Sequence, residues 1–243
     1  MFSGFPASTS VVGYNTQAVQ GDKLYCIGLQ FADVGSASDM ATIASLATSG
    51  ITAGAYDTMG TDAPCIMIYN GATYDYYYYI SDAYDSEGNE VTAWADNNGD
   101  EATTQKPLGT GCWLRLPAGT ATAGSVTEAG QVSDADTSTI NIANGLTLAS
   151  SPYPVALDMA KVTTSGLVAG AYDTMGTDAP CIMIYNGATY DYYYYISDAY
   201  DSEGNEVTAW ADNNGDAVTA AIAKVGEAFW VRSGTAGTLT IAK

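Results

Sequence analysis

Two runs of oxygen-bearing side chains offer the clearest chemistry in this chain. Asp82, Asp85, Glu87 and Asn89 lie close together, with Asp96 and Asp100 following, and the same residues return as Asp198, Asp201, Glu203, Asn205, Asp212 and Asp216. Hard oxygens on flexible loops are what calcium takes, roughly six to eight at a time. The spacing is not that of an EF-hand, and Asp, Asn and Gly also favour turns on their own account. Two readings stand open: a calcium site in each run, or solvated turns.

Other chemistry is narrowed by what the chain lacks. It contains no histidine, which removes Ser-His-Asp and Cys-His arrangements and the commonest metal-ligating side chain. Of the four cysteines, Cys65 and Cys181 are copies of one position, whereas Cys26 and Cys112 fall where the second half has Leu148 and Phe229. Their joint absence from the second half predicts a Cys26–Cys112 disulfide, which fits an exported protein; four buried thiols are the alternative. No close-spaced cysteine pair suggests zinc. Acidic residues are numerous, but nothing singles out a carboxylate pair of the glycosidase kind. No enzyme is expected.

The chain carries 27 Asp plus Glu against 7 Lys plus Arg, a formal charge of −20 over 243 residues. Such a field repels nucleic acid and anionic membranes. No run reaches the roughly 18 apolar residues of a membrane span, and no signal-peptide pattern opens the sequence. An acidic, Lys-poor composition rich in Thr, Ser, Gly and Tyr points to an extracellular or cell-surface location.

The elements that must position these residues come in duplicate. Residues 53–100 recur without a mismatch as 169–216, which divides the chain into an N-terminal segment (1–9), a first β domain (10–130), a connector (131–136) and a second β domain (137–243). Each half is long enough for a core of its own. Short apolar runs separated by turn residues predict an all-β protein of two tandem sandwich or barrel-like domains. Within the repeat, the runs 65–69 and 73–80 flank Asn70-Gly71, a signature of a two-residue type I′ hairpin. Apolar residues at helical spacing over 38–46, behind a cap at Ser38, predict one short helix.

Eight of the 19 tyrosines lie in each copy of the repeat. By strand alternation, Tyr74, Tyr76 and Tyr78 face one way and Tyr77 and Tyr79 the other. One set belongs to a core. The other is read as an exposed strip over Tyr77, Tyr79 and their copies Tyr193 and Tyr195, serving subunit contact or stacking on sugars together with Trp94; cross-strand pairing within a sheet is the simpler alternative.

Leu146 to Pro154 (LTLASSPYP), Ile184-Tyr185-Asn186-Gly187 and Gly226-Glu227-Ala228-Phe229-Trp230-Val231 form an ordered series. It resembles the LxxNPYP … YxxNG … GxGFxV pattern of secreted all-β repeat modules in Bacteroidetes and in the Planctomycetes–Verrucomicrobia group. The opening Ser10-Val11-Val12-Gly13-Tyr14 is similar to the start of such surface proteins. The resemblance implies a secreted or surface module and no catalytic residues. The first half departs from it, with Gly28-Leu29-Gln30-Phe31 where Pro-Tyr-Pro would sit.

Two functions follow as expectations. The first is a self-assembling subunit of a filament or surface layer, its partners copies of itself, built by adding the segment around Phe2, Phe5, Val11, Val12 and Tyr14 to a neighbouring sheet. The second is a calcium-dependent glycan-binding adhesin.

Overall fold

The computed structural model describes residues 11–35 and 39–243; Phe2, Phe5 and Ser38 lie outside them. The first half contains β1 (Val12–Val19), β2 (Lys23–Gly28), β3 (Met40–Thr42), β4 (Ala47–Ser49), β5 (Cys65–Tyr69), β6 (Tyr74–Tyr84), β7 (Glu90–Ala95), β8 (Gln105–Pro107), β9 (Gly111–Leu116) and β10 (Gly124–Gln131). The second repeats the series as β11 (Thr137–Ile142), β12 (Gly145–Ser150), β13 (Leu157–Asp158), β14 (Val162–Ser165), β15 (Cys181–Tyr185), β16 (Tyr190–Tyr200), β17 (Glu206–Ala211), β18 (Ala221–Ala223), β19 (Ala228–Ser233) and β20 (Gly237–Ala242). The all-β expectation is met.

Each half is a sandwich. A five-stranded antiparallel sheet, β2-β9-β5-β6-β7, packs on a three-stranded sheet, β1-β10-β4, beside the small β3-β8 ribbon; the second half has β12-β19-β15-β16-β17, β11-β20-β14 and β13-β18. Alternation along each strand supplies the inner face. Ile66, Ile68, Leu114 and Leu116 of the larger sheet meet Val19 and Val126 of the smaller one in the first core. Ile182, Ile184, Phe229 and Val231 meet Ile142, Leu239 and Ile241 in the second. The 131–136 connector is held in place: Val132 donates its N–H to Val11, the Tyr153 hydroxyl donates to the Ala135 carbonyl, and Lys243 Nζ donates to the Ser133 carbonyl.

Three local expectations are corrected. The Asn70-Gly71 turn is a four-residue loop, because Tyr69 pairs with Tyr74 rather than with a residue nearer the turn. Gly71 alone takes a positive φ there, 99°, whereas a type I′ turn needs one at Asn70 as well. The Asn70 carboxamide oxygen instead accepts from the N–H groups of Ala72 and Thr73 at 3.2 and 3.0 Å, closing the loop with a side chain. The 38–46 helix is replaced by β3, a single 3-10 turn at Ile43–Ser45, and β4. Pairing of Met40–Thr42 with Gln105–Pro107 takes the backbone that a helix would need.

The Cys26–Cys112 bridge is also absent; all four cysteines are free thiols. Cys26 stands opposite Trp113 and Cys112 opposite Ile27 across the β2–β9 pair. The two cysteines are therefore one residue out of register and point to opposite faces of the sheet. Cys112 lies in the first core, and Cys26 lies on the face toward the second half.

The halves meet around a pseudo-two-fold axis. Gly28 donates its N–H to Gly226 at 2.9 Å, and the equivalent Ser150 donates to Gly109 at 2.8 Å. Bridges Ile27–Glu227 and Thr110–Ala149 repeat the relation. At the axis a residue faces its own equivalent, and there is room for one side chain: a Cβ at Gly28 would collide with Cβ and Oγ of Ser150. Gly28→Ser should therefore destabilise the chain by about 2 kcal/mol in urea unfolding. Adding Ser150→Gly, which moves the glycine across the axis, should restore most of the loss; failure of that rescue would refute the symmetric contact.

Candidate binding cleft between the two halves

The faces that meet are the outer faces of the two five-stranded sheets. Trp113, Met67, Tyr69 and Tyr74 of one half cluster with Trp230, Met183, Tyr185 and Tyr190 of the other, along with Cys26, Leu148 and Ala228. Two reciprocal edge-to-face pairs fix the approach: Tyr69 on Trp230 at 5.1 Å and 70°, and Trp113 on Tyr185 at 5.4 Å and 73°. Each such pair contributes about 0.5–1.5 kcal/mol beyond the area it buries.

Beside these contacts the sheets diverge into a cleft of about 520 Å³. Its lining consists of five equivalent pairs: Leu24 and Leu146, Met67 and Met183, Tyr74 and Tyr190, Tyr76 and Tyr192, Trp113 and Trp230. Tyr76 stacks on Tyr78, and Tyr192 on Tyr194, each at 6.2 Å. Burial holds the Tyr74 and Tyr190 phenols above their ordinary range, so they remain neutral donors. The volume falls within the several-hundred-Å³ range usual for small-molecule sites, which are mostly apolar with a few polar handles.

The tyrosine alternation is real, but its two sides have the opposite uses to those expected. Tyr77 is 6% exposed and lies in the first core. Tyr79 packs there too, 5.3 Å from the fully buried Trp94, whose indole N–H donates to the Leu46 carbonyl. Tyr193 and Tyr195 pack on the second core, Tyr195 5.4 Å from Trp210. The exposed strip expected over these four residues is instead turned inward, because the five-stranded sheet uses that face to close its own sandwich. Tyr74, Tyr76 and Tyr78 and their copies carry the outward face. Leu24, Leu146, Met67 and Met183 attract no notice as sequence, because isolated apolar residues in a strand read as core. For Met67 and Met183 the signal was the identity of the two repeats, which lets one face meet its copy; Leu24 and Leu146 lie outside the repeats and had none.

The acidic runs serve turns. Asp85 Oδ1 accepts from the N–H groups of Glu87 and Asn89, both at 2.9 Å, and Asp201 does the same with Glu203 and Asn205. The Asn89 and Asn205 bonds hold both carboxyls below their ordinary range. Asp96 and Asp212 accept from Asn98 and Asp100, and from Asn214 and Asp216. Asp82 and Asp198 accept from the N–H of Tyr56 and of Tyr172. Among the described residues no three acidic or Cys side chains converge as a metal site. Val11, Val12 and Tyr14 are exposed, at 59%, 65% and 76%. β1 is paired along one edge with β10 of its own chain from Val12 to Val19, so it is the edge strand of its own sandwich rather than a loose segment.

Sequence reading missed one buried polar pair at the junction. Glu128 Oε1 accepts from the N–H groups of Gln30 and Phe31, and Gln30 Nε2 donates to the carbonyls of Ser151 and Tyr153 in the second half. Glu128 Oε2 and Gln30 Oε1 are buried without a hydrogen-bond partner. Burial raises the Glu128 carboxyl to about 7, with Asp33 adding to the shift and the two N–H bonds opposing it. The equivalent position in the second half is the apolar Ile241. The folded state thus holds the Glu128 proton at a pH where the unfolded chain has released it. Stability from this group is complete below the ordinary carboxyl value of 4.5, declines as pH rises toward about 7, and then levels. Glu128→Gln should flatten that decline, on the order of 3 kcal/mol, in denaturant midpoints measured from pH 4 to 8.

No family model matches the chain, and no curated protein or solved structure is similar enough to lend an argument.

Proposed function

We propose that this chain is a non-catalytic binding module of an exported surface protein, holding its ligand in the aromatic cleft between its halves. The observation that carries the reading is the cleft's lining by five equivalent residue pairs, largely apolar and open to solvent. Beside their contacts the two aromatic faces leave a volume suited to one small molecule. Burial pushes the thiols of Cys65 and Cys181 up to about 12 and 11, far from the nucleophilic thiolate form.

Nile red, a neutral apolar dye, tests the site. One equivalent should saturate each chain, because the axis makes one site from two half-linings. Leu24 and Leu146 are 40% and 39% exposed, so Leu24→Trp with Leu146→Trp fills the cleft from its rim and spares the core. That variant should lose at least tenfold in dye affinity with an unchanged melting temperature; undiminished binding would refute the reading. Glycans remain the alternative ligand class, and a glycan array on the same two proteins decides whether sugars use this seam.

Self-assembly is a second reading, and β1 favours it. An edge strand presents unpaired N–H and C=O groups, and natural edges are usually protected by charge or proline. β1 instead exposes Val12 and Tyr14, where the second half has Ala135 and Thr137. Electron microscopy with calcium and with chelator, on wild type and Tyr14→Lys, tests it: ordered polymers lost in the variant would support this edge as the contact, and dispersed particles throughout would exclude it.

A further inference from the structure

We infer that the cleft between the halves selects an organic cation without N–H donors, a quaternary ammonium group above all. The inference rests on the binding reading and gives its ligand a chemistry.

The first argument is charge. None of the seven Lys and Arg residues lines the cleft, and neither does any Asp or Glu. The site is free of ions inside a molecule of formal charge −20. That field lowers the local concentration of anions and raises that of cations. Arg115 and Arg232, two residues beyond the cleft tryptophans, are turned to brace loops, donating to the carbonyls of Gly60 and Gly176 at 3.3 and 2.9 Å. Neither competes for the rings.

The second argument is the lining. Six of its ten residues are Tyr or Trp, and two of the remainder are the polarisable methionines Met67 and Met183. Aromatic faces carry the negative end of the ring quadrupole, and walls of several rings are how proteins hold quaternary ammonium groups. The third argument separates cation types. A primary ammonium has three N–H donors that need acceptors when desolvated. Among the lining side chains the only oxygens are the four phenols of Tyr74, Tyr76, Tyr190 and Tyr192, which are donors as well. A trimethylammonium group asks for no acceptor, so it leaves no donor unpaired in such a site.

Choline and its neutral isostere 3,3-dimethylbutan-1-ol differ by charge at nearly constant shape, and ethanolamine differs from choline by its N–H donors. Titrations of the full chain, read by the fluorescence of Trp113 and Trp230 and by calorimetry, should give one choline site, at least tenfold tighter than either comparator. Added salt should weaken choline and leave the isostere unaffected. Leu24→Trp with Leu146→Trp should abolish the choline response. Equal affinity for choline and the isostere, or tighter binding of ethanolamine, would overturn the cation inference and leave the binding reading intact if Nile red still binds. Absence of saturation by every probe, Nile red included, would overturn both.

Discussion

Everything in this molecule depends on a sheet face meeting its own copy. Residues 53–100 and 169–216 are identical, so the strands within them present the same side chains outward in both halves. A face that meets itself about an axis must complement itself. Edge-to-face aromatic pairs satisfy that condition, since Tyr69 can sit on Trp230 while Trp113 sits on Tyr185. A single small side chain at the axis satisfies it as well, with Gly28 admitting Ser150. The contact is isologous and closed within one chain, which removes the repeated face from the surfaces available to an open polymer.

The charge imbalance shapes the remainder. Acidic side chains far outnumber basic ones, and Lys106–Asp75, at 3.4 Å, is the salt bridge present among the described residues. The acidic residues instead find N–H groups, as at Asp85 and Asp96, where the backbone supplies the positive ends that side chains do not. The basic residues serve carbonyls: Lys243 holds the Ser133 carbonyl, and the two arginines hold loops. The aromatic cleft itself has no charged side chain in its lining, although the neighbouring part of the seam carries Asp22, Lys23, Asp191, Lys224 and Glu227.

The halves differ where they must engage each other without symmetry. Gln30, its backbone held by Glu128, reaches from the first half into the Ser151–Tyr153 segment of the second, and the positions corresponding to Gln30 and Glu128 there are Pro152 and Ile241. A buried carboxyl at such a place couples the junction to proton activity, because burial disfavours its charged form.

Strand identity, the two-domain layout and the alternation of the tyrosines were legible in the sequence, because period-two patterning and an exact repeat are local signals. The Asn70 loop and the 38–46 segment were misread because strand pairing with distant residues overrode local propensity. The disulfide failed for a related reason: which face of a sheet a cysteine occupies is set by register, and register belongs to the pair of strands rather than to either one. The same limit governs the site. Alternation divided the tyrosines into two sets, but only the packing of β1-β10-β4 against the larger sheet decided that Tyr77 and Tyr79 face the core. Only the meeting of the halves turned Tyr74, Tyr76 and their copies, with Met67 and Met183, into a cleft. A sequence can state that a face is apolar; what covers that face is decided by whichever partner surface the folded chain brings to it.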